Sequence, residues 1–466
     1  MLTALSVRGR GVARLAVTAL VSGLLAAGAI ASAGPAAAED IPQHQGGATA
    51  TLDGLTTFDR AVLHDGGRRH ELPAGLFEMT VDGGGRLKTY CVDIHNPTQA
   101  QARYLETPWE QTSLGHNGDA GKIRWILEHS YPQVDDLVAL AERAGTGLLS
   151  ERTAAAGTQV AIWRYSDEAE VEALDPAAEQ LADWLEENAE HVEEPRASLS
   201  LEPNAVSGKA GGRLGPITVR TDADRVTVAP PADSAASGVI VTDQAGSPLT
   251  TAVDGSMLYF DVPDGATGGS AALSLQATTN VPVGRAFSGV TKSQTQILAG
   301  SSRSTVSATA TATWADRGPI PAITAKKNCA AGGIDITATN RGDEQFTFRL
   351  QGLKHAIAPG ESRTVTVPVP EDQAYDFAIT GPGGFSKSFK GVLDCKTTGS
   401  AGPLPDQPAP QPSAFSAGGT GIDDNLAATG ASGATPVIVG TAIALVVVGG
   451  AVVLFVHRRK APSEED

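Results

Sequence analysis

The chain has 466 residues, with 35 Lys and Arg against 52 Asp and Glu, and a formal net charge of −17. This balance excludes nucleic acid as a partner, because a polyanion is held by a basic surface. Aromatic residues make up only 5%, while 53 Gly and 28 Pro favour short strands and many turns outside the helical segments.

Residues 1–38 carry Arg8, Arg10 and Arg14, then an apolar stretch from Leu15 to Ile30, then Ala36-Ala37-Ala38 before Glu39. That is the n-region, h-region and small-residue cleavage pattern of a secretory signal peptide, expected to be absent from the mature protein. After a short leader, an α+β domain is expected over residues 48–194. Leu76 to Val81, the turn Asp82-Gly83-Gly84-Gly85 and Leu87 to Ile94 read as a hairpin with Cys91 late on its second strand. The pattern then turns helical. Helices are expected from Gly121 to about Tyr131, from Asp135 to Ala144, from Thr153 to about Tyr165 and from Ala177 to His191. In the third, Gln159, Ile162 and Trp163 stand at i, i+3 and i+4, so part of one face packs while Gln159 is presented.

Residues 196–316 show short β-rich runs such as Arg225-Val226-Thr227-Val228 and Leu258-Tyr259-Phe260-Asp261-Val262, separated by Asp, Gly and Pro turns. An immunoglobulin-like β-sandwich is expected there, and a second, smaller one over residues 322–397. Lys209 and Lys292 are candidates for a stalk isopeptide bond, although no motif marks one. Arg341-Gly342-Asp343 matches the integrin-binding tripeptide, yet Asn340 to Asp343 is also an ordinary hairpin turn. Residues 398–425, rich in Gly, Pro and Ser, read as a disordered linker. Residues 437–456 are dominated by apolar residues and glycine, about the length a helix needs to cross a bilayer. His457, Arg458, Arg459 and Lys460 follow and place the tail, residues 457–466, in the cytoplasm.

Only three cysteines are present. An exported chain oxidises its thiols, and Cys329 and Cys395 bracket the smaller sandwich, so they are the natural disulfide pair. Cys91 remains. It is either a small buried hydrophobe or a reactive sulfur.

Two patches bear on that choice: Tyr90-Cys91-Val92-Asp93 and Thr158-Gln159-Val160-Ala161-Ile162-Trp163. Together they resemble the signature of the thioester domains of Gram-positive, here actinobacterial, surface proteins. The resemblance implies that the Cys91 sulfur displaces ammonia from the Gln159 carboxamide, leaving an internal acyl group open to a nucleophile on a partner surface. Leu426-Ala427-Ala428-Thr429-Gly430 resembles the Leu-Ala-x-Thr-Gly sortase signal. That resemblance implies cleavage between Thr429 and Gly430 and transfer of Thr429 to peptidoglycan, and so a cell-wall location. On this reading the chain is an adhesin that reacts once and is not an enzyme in the turnover sense. The alternatives are a wall-anchored cysteine hydrolase or transamidase, with Cys91 as nucleophile and His95 or His129 as base, and a non-covalent structural surface protein.

Tyr90, Trp125, Trp163 and Tyr165 are candidate apolar walls for the site, or plain core. Asp93, two residues beyond Cys91 on the same strand face, either hydrogen-bonds in the site or caps a turn. No nucleotide-binding, zinc-protease or nucleophile-elbow motif is present. No cofactor and no metal are expected.

Overall fold

The first two strands, β1 (Thr49–Asp65) and β2 (Arg68–Val81), form a long antiparallel hairpin. It is closed by Gly66 and Gly67 at φ 52° and 78°. A two-residue hairpin loop that matches strand twist needs both residues at positive φ, which selects glycine. The expected hairpin follows, with β3 (Arg86–Cys91) antiparallel to β2 and Cys91 as its last residue. Strand β4 (Arg103–Thr107) then pairs with the start of β1. The computed structural model describes residues 46–397, apart from 233 and 383–384. The expected leader peptide 1–38, linker 398–425, sorting motif 426–430, membrane span 437–456 and tail 457–466 lie outside the described residues. Among the described residues, no helix is long and apolar enough to cross a membrane.

The four expected helices are α1 (Ala120–His129), α2 (Leu137–Ala144), α3 (Glu151–Ser166) and α4 (Pro176–Asn188), with β5 (Val171–Ala173) between the last two. Their ends obey local chemistry. Asp136 and Asp175 cap α2 and α4, and at α3 Ser150 and Thr153 cap each other reciprocally, satisfying amides that the first turn leaves unpaired. Helix α3 departs from its expected half-exposed character: every residue from Ala154 to Trp163 is buried. The small side chains of Ala154, Ala155, Ala156 and Gly157 let it lie between strands and α4. A Cβ at Gly157 would stand 2.4 Å from the Ala178 carbonyl oxygen.

The next segment contains β6 (Leu199–Glu202), β7 (Ala205–Lys209), β8 (Arg213–Thr221), β9 (Val226–Ala229), the short helix α5 (Ser234–Ser237), β10 (Ile240–Thr242), β11 (Thr251–Ala252), β12 (Met257–Asp261) and β13 (Gly269–Asn280). Then come β14 (Ala286–Gly289), β15 (Gln296–Ser301) and β16 (Arg303–Ala315). Two sheets, ordered β10-β12-β8-β6 and β11-β9-β13-β16-β7, make the expected sandwich.

The expected boundaries need correction here. Strands β13 and β16 are antiparallel partners down to Asn280 opposite Arg303, so the chain leaves the sandwich and returns to the same place. In the detour, β14 and β15 insert between β4 and β3. The pairings then run β1, β2, β3, β15, β14, β4 and back to β1, a closed ring of six strands with β5 added outside. Closure gives each strand of the ring a partner on both sides over part of its length, and it needs residues from both sides of the sandwich. Residues 48–194 therefore do not form the first domain alone, and residues 196–316 are not a self-contained stalk.

A buried ion pair fixes this junction. Glu106 on β4 and Arg285 meet at 2.9 Å with side-chain exposures of 0% and 3%. Glu106 also accepts from the backbone N–H groups of Ala48 and Ser198, and Arg285 also donates to the Glu194 carboxylate at 2.6 Å, completing the cluster.

The last segment holds β17 (Pro321–Asn328), β18 (Gly333–Asn340), β19 (Phe346–Leu350), β20 (Leu353–Ile357), β21 (Ser362–Pro368), β22 (Gln373–Thr380) and β23 (Ser386–Leu393). They form sheets β17-β18-β21 and β20-β19-β22-β23 around a separate core that includes Ile334, Ile336, Phe346 and Phe348. Cys329 and Cys395 are bonded, tying the end of β17 to the residue pair after β23. The Arg341-Gly342-Asp343 segment is a structural turn. Gly342 is packed against the Gly318 carbonyl, and Asp343 is engaged by the Gly318 N–H at 2.7 Å and Lys209 at 3.1 Å. Lys209 and Lys292 keep 57% and 54% side-chain exposure and stand in ion pairs with Asp343 and Asp372.

Candidate functional site

Cys91 lies at the end of β3, where one side of the strand has run out of partner. The β2–β3 register ends at Phe77 opposite Thr89, because β2 continues against β1. On the other side β15 still pairs, with Gln296 opposite Cys91. A buried N–H and C=O left over at such a point must be satisfied from elsewhere. Gln159 supplies both bonds. Its Oε1 accepts from the Cys91 N–H at 3.0 Å and its Nε2 donates to the Cys91 carbonyl at 2.9 Å. The carboxamide thus stands in for a missing strand residue, and α3 carries it there fully buried.

That placement differs from the expected one. Gln159 is brought to Cys91, but its amide hydrogen-bonds to the Cys91 backbone, and among the described residues it forms no hydrogen bond to the sulfur. The side chain that touches Cys91 Sγ is Gln294, through Oε1. Sγ also lies 3.1 Å from the Asp93 carbonyl oxygen and accepts the Asp93 N–H at 3.3 Å. Gln294 sits in the β14–β15 connection, the tip of the detour that completes the ring. Residues on both sides pin it: Tyr104 Oη donates to the Gln294 carbonyl at 2.9 Å and meets Ser293 Oγ at 2.7 Å. Thr89 Oγ1 donates to Gln296 Oε1 at 3.0 Å, and Val92 N–H donates to the Thr295 carbonyl at 3.1 Å.

Water is kept out. Cys91, Gln159 and Gln294 are 1%, 0% and 5% exposed. Trp163 packs here, with its buried indole side chain beside the Cys91 thiol. Tyr90 is fully buried and donates to the Tyr131 carbonyl at 2.8 Å. Trp125 and Tyr165 are only partly buried in the same core.

Burial dominates the electrostatics. It pushes the Cys91 thiol well above its ordinary range, reinforced by the nearby Asp167 charge. Asp93 is pushed up to about 8, first by burial and then by Asp394. Asp167 is raised well above the carboxylate range by burial and by Asp93. Asp394 is raised to about 6 by burial, opposed by its hydrogen bond from Thr295 and by Lys327. Asp167 and Asp93 thus add to burial in disfavouring the Cys91 thiolate, and Asp394 in turn raises both of them. The Asp93 carboxylate caps a turn, accepting from the His95 N–H at 3.2 Å and from Asn96.

Among the described residues, neither expected base reaches sulfur. The His129 ring stacks on Trp125 at 4.0 Å and its Nδ1 meets the Trp125 carbonyl at 2.8 Å. The His95 contact runs through its backbone. For a cation, Glu371, Asp372 and Asp394 bring ligand oxygens within 4.8 Å of one another. Those groups already serve the protein: Glu371 accepts from the Cys395 and Lys396 N–H groups, and Asp372 faces Asn96 and Lys292.

Comparison with known proteins agrees with the Cys91 region. Residues 88–191 match the family model described as "Thioester domain". Residues 321–392 match the one described as "Bacterial phospholipase C, C-terminal domain". Among curated proteins none matches the chain. Among solved structures, the Bacillus anthracis TIE protein aligns at 12% identity over 75% of this chain and 81% of its own, with a TM-score of 0.27. The thioester domain of the Enterococcus faecium TIE86 protein aligns at 13% identity over 58% and 97%, also with a TM-score of 0.27. The E. coli chaperone DraB aligns at 16% identity over 42% and 98%, with a TM-score of 0.18. These superpositions are too loose to define a shared overall fold.

The thioester match stops far short of Gln294, which also escaped sequence reasoning. One signal pointed there: Ile297-Leu298-Ala299 is a continuous apolar run and fully buried, the mark of a strand covered on both faces rather than of a half-exposed stalk strand.

Proposed function

We propose that the chain is a surface protein whose Cys91 and Gln294 form an internal thioester that captures a nucleophile on a partner surface. In forming it, sulfur attacks the Gln294 side-chain carbonyl carbon, the C–N bond breaks, and ammonia leaves with the thiol proton. A partner amine or hydroxyl later attacks the same carbon, the C–S bond breaks, and the released sulfur takes up the proton. The reaction happens once per chain, so no turnover follows.

The observation that carries this reading is the contact between Sγ and the Gln294 side chain, with the rival Gln159 amide held on the Cys91 backbone. Burial supports it as well, since a finished thioester survives only where water is excluded. The hydrolase alternative relies on His95 or His129 as base, and among the described residues neither side chain is hydrogen-bonded to the sulfur.

The leader and C-terminal patterns extend the proposal. The protein is exported, held by the membrane span, and transferred by a sortase at Thr429 to peptidoglycan, with the folded region displayed as an adhesin. The origin this implies is actinobacterial. Intact-mass measurement tests the site: the wild type should weigh one ammonia less than its sequence, and Cys91→Ala and Gln294→Ala should both restore the full mass. Full mass in freshly prepared wild type would overturn the proposal.

A further inference from the structure

The C-terminal domain reaches into the candidate site. Asp394 lies between β23 and the disulfide-bonded Cys395, is 7% exposed, and accepts a hydrogen bond from Thr295 Oγ1 at 2.8 Å. Thr295 is fully buried and is the residue next to Gln294. Its carbonyl also receives the Val92 N–H, so it joins the two segments that carry the reacting side chains. A second bridge runs beside it, from Asn96 to both Asp93 and Asp372. Asp394 is itself held in place. The Cys329–Cys395 bond fixes its neighbour, and Glu371 accepts from the N–H groups of Cys395 and Lys396.

We infer that Asp394, supplied by the disulfide-tied domain, is a positioning residue that acts through Thr295 to hold Gln294 against the Cys91 sulfur. The inference rests on the thioester reading proposed above. It makes the last sandwich part of the reaction site rather than a spacer. Gln294 has rotatable bonds of its own, and a buried carboxylate anchored on a second domain fixes the backbone from which that side chain extends. Hydrogen bonds to charged groups are among the stronger ones.

The test follows ammonia loss by mass as the full chain refolds with the disulfide intact. Thr295→Val removes the hydroxyl and keeps the shape, and should slow the loss about tenfold, the scale of one such hydrogen bond. Thr295→Ser restores the hydroxyl and should return the rate to within about twofold of wild type. Asp394→Ala should be as slow as Thr295→Val, and the double variant no slower than either, because both remove one interaction. Asp394→Leu removes both carboxylate oxygens at similar size and provides the same comparison should the alanine variant fold poorly. Wild-type rates in Thr295→Val and Asp394→Leu, or slowing by the two single variants that multiplies, would overturn the inference while leaving the thioester intact. Absence of ammonia loss from the wild type, unchanged by Cys91→Ala or Gln294→Ala, would instead overturn the reading of the site and this inference with it.

Discussion

Replacing Gln159 with alanine separates structure from chemistry at this site. Two hydrogen bonds vanish, the one from the Cys91 N–H at 3.0 Å and the one to the Cys91 carbonyl at 2.9 Å. Both backbone groups stay buried, because β2 offers no partner at that level and α3 seals the region. A buried polar group left unpaired costs about 1–3 kcal/mol, so the pair costs about 2–6 kcal/mol. For a domain of this size, each kcal/mol lowers the melting temperature by about 2–4 °C. Thermal melting and urea denaturation of Gln159→Ala should show that loss, while the folded variant still lacks one ammonia. Gln294→Ala should behave in the opposite way, with full mass and a smaller loss of stability. The reasoning fails if Gln159→Ala is as stable as wild type, or if it alone abolishes the ammonia deficit while Gln294→Ala preserves it.

Other consequences follow from the same geometry. Arg285→Ala leaves Glu106 buried without its charge partner and should destabilise the junction by about 3–5 kcal/mol in urea denaturation. Between the ordinary carboxylate pKa of about 4 and the raised Asp93 value of about 8, the unfolded chain gives up a proton that the fold keeps. Stability should therefore fall as pH rises through that window, and Asp93→Asn should flatten the decline in melting curves taken across it. Reducing Cys329–Cys395, which are 66 residues apart, should lower the stability of the last domain by about 2–4 kcal/mol, seen as an earlier transition in differential scanning calorimetry.

Much of the local structure was legible in the sequence. Apolar spacing located α1 to α4 to within about a turn. Alternation marked most sandwich strands, and the cysteine count alone isolated Cys91 from the bonded pair. What stayed hidden depends on contacts distant in sequence. Gln294 is 203 residues from Cys91, and nothing local to either tells that β13 and β16 pair across a detour that closes another domain's ring. Gln159 misled for a different reason. Its position beside a cysteine strand fitted an acyl donor, but its role is set by where β2 stops pairing with β3, and strand length is a tertiary outcome. Helix α3 was read as amphipathic when its alanines and glycine allow burial on all sides.

The central claim is that sulfur 91 belongs to side chain 294. Proteolytic mapping of freshly purified full chain, denatured in acid without amines or thiols, tests it most directly. The account predicts a cross-linked pair of peptides containing Cys91 and Gln294, lighter than their sum by one ammonia, with Gln159 intact. An alkylatable Cys91 with Gln294 as a free primary amide, or a cross-link to Gln159, would contradict it.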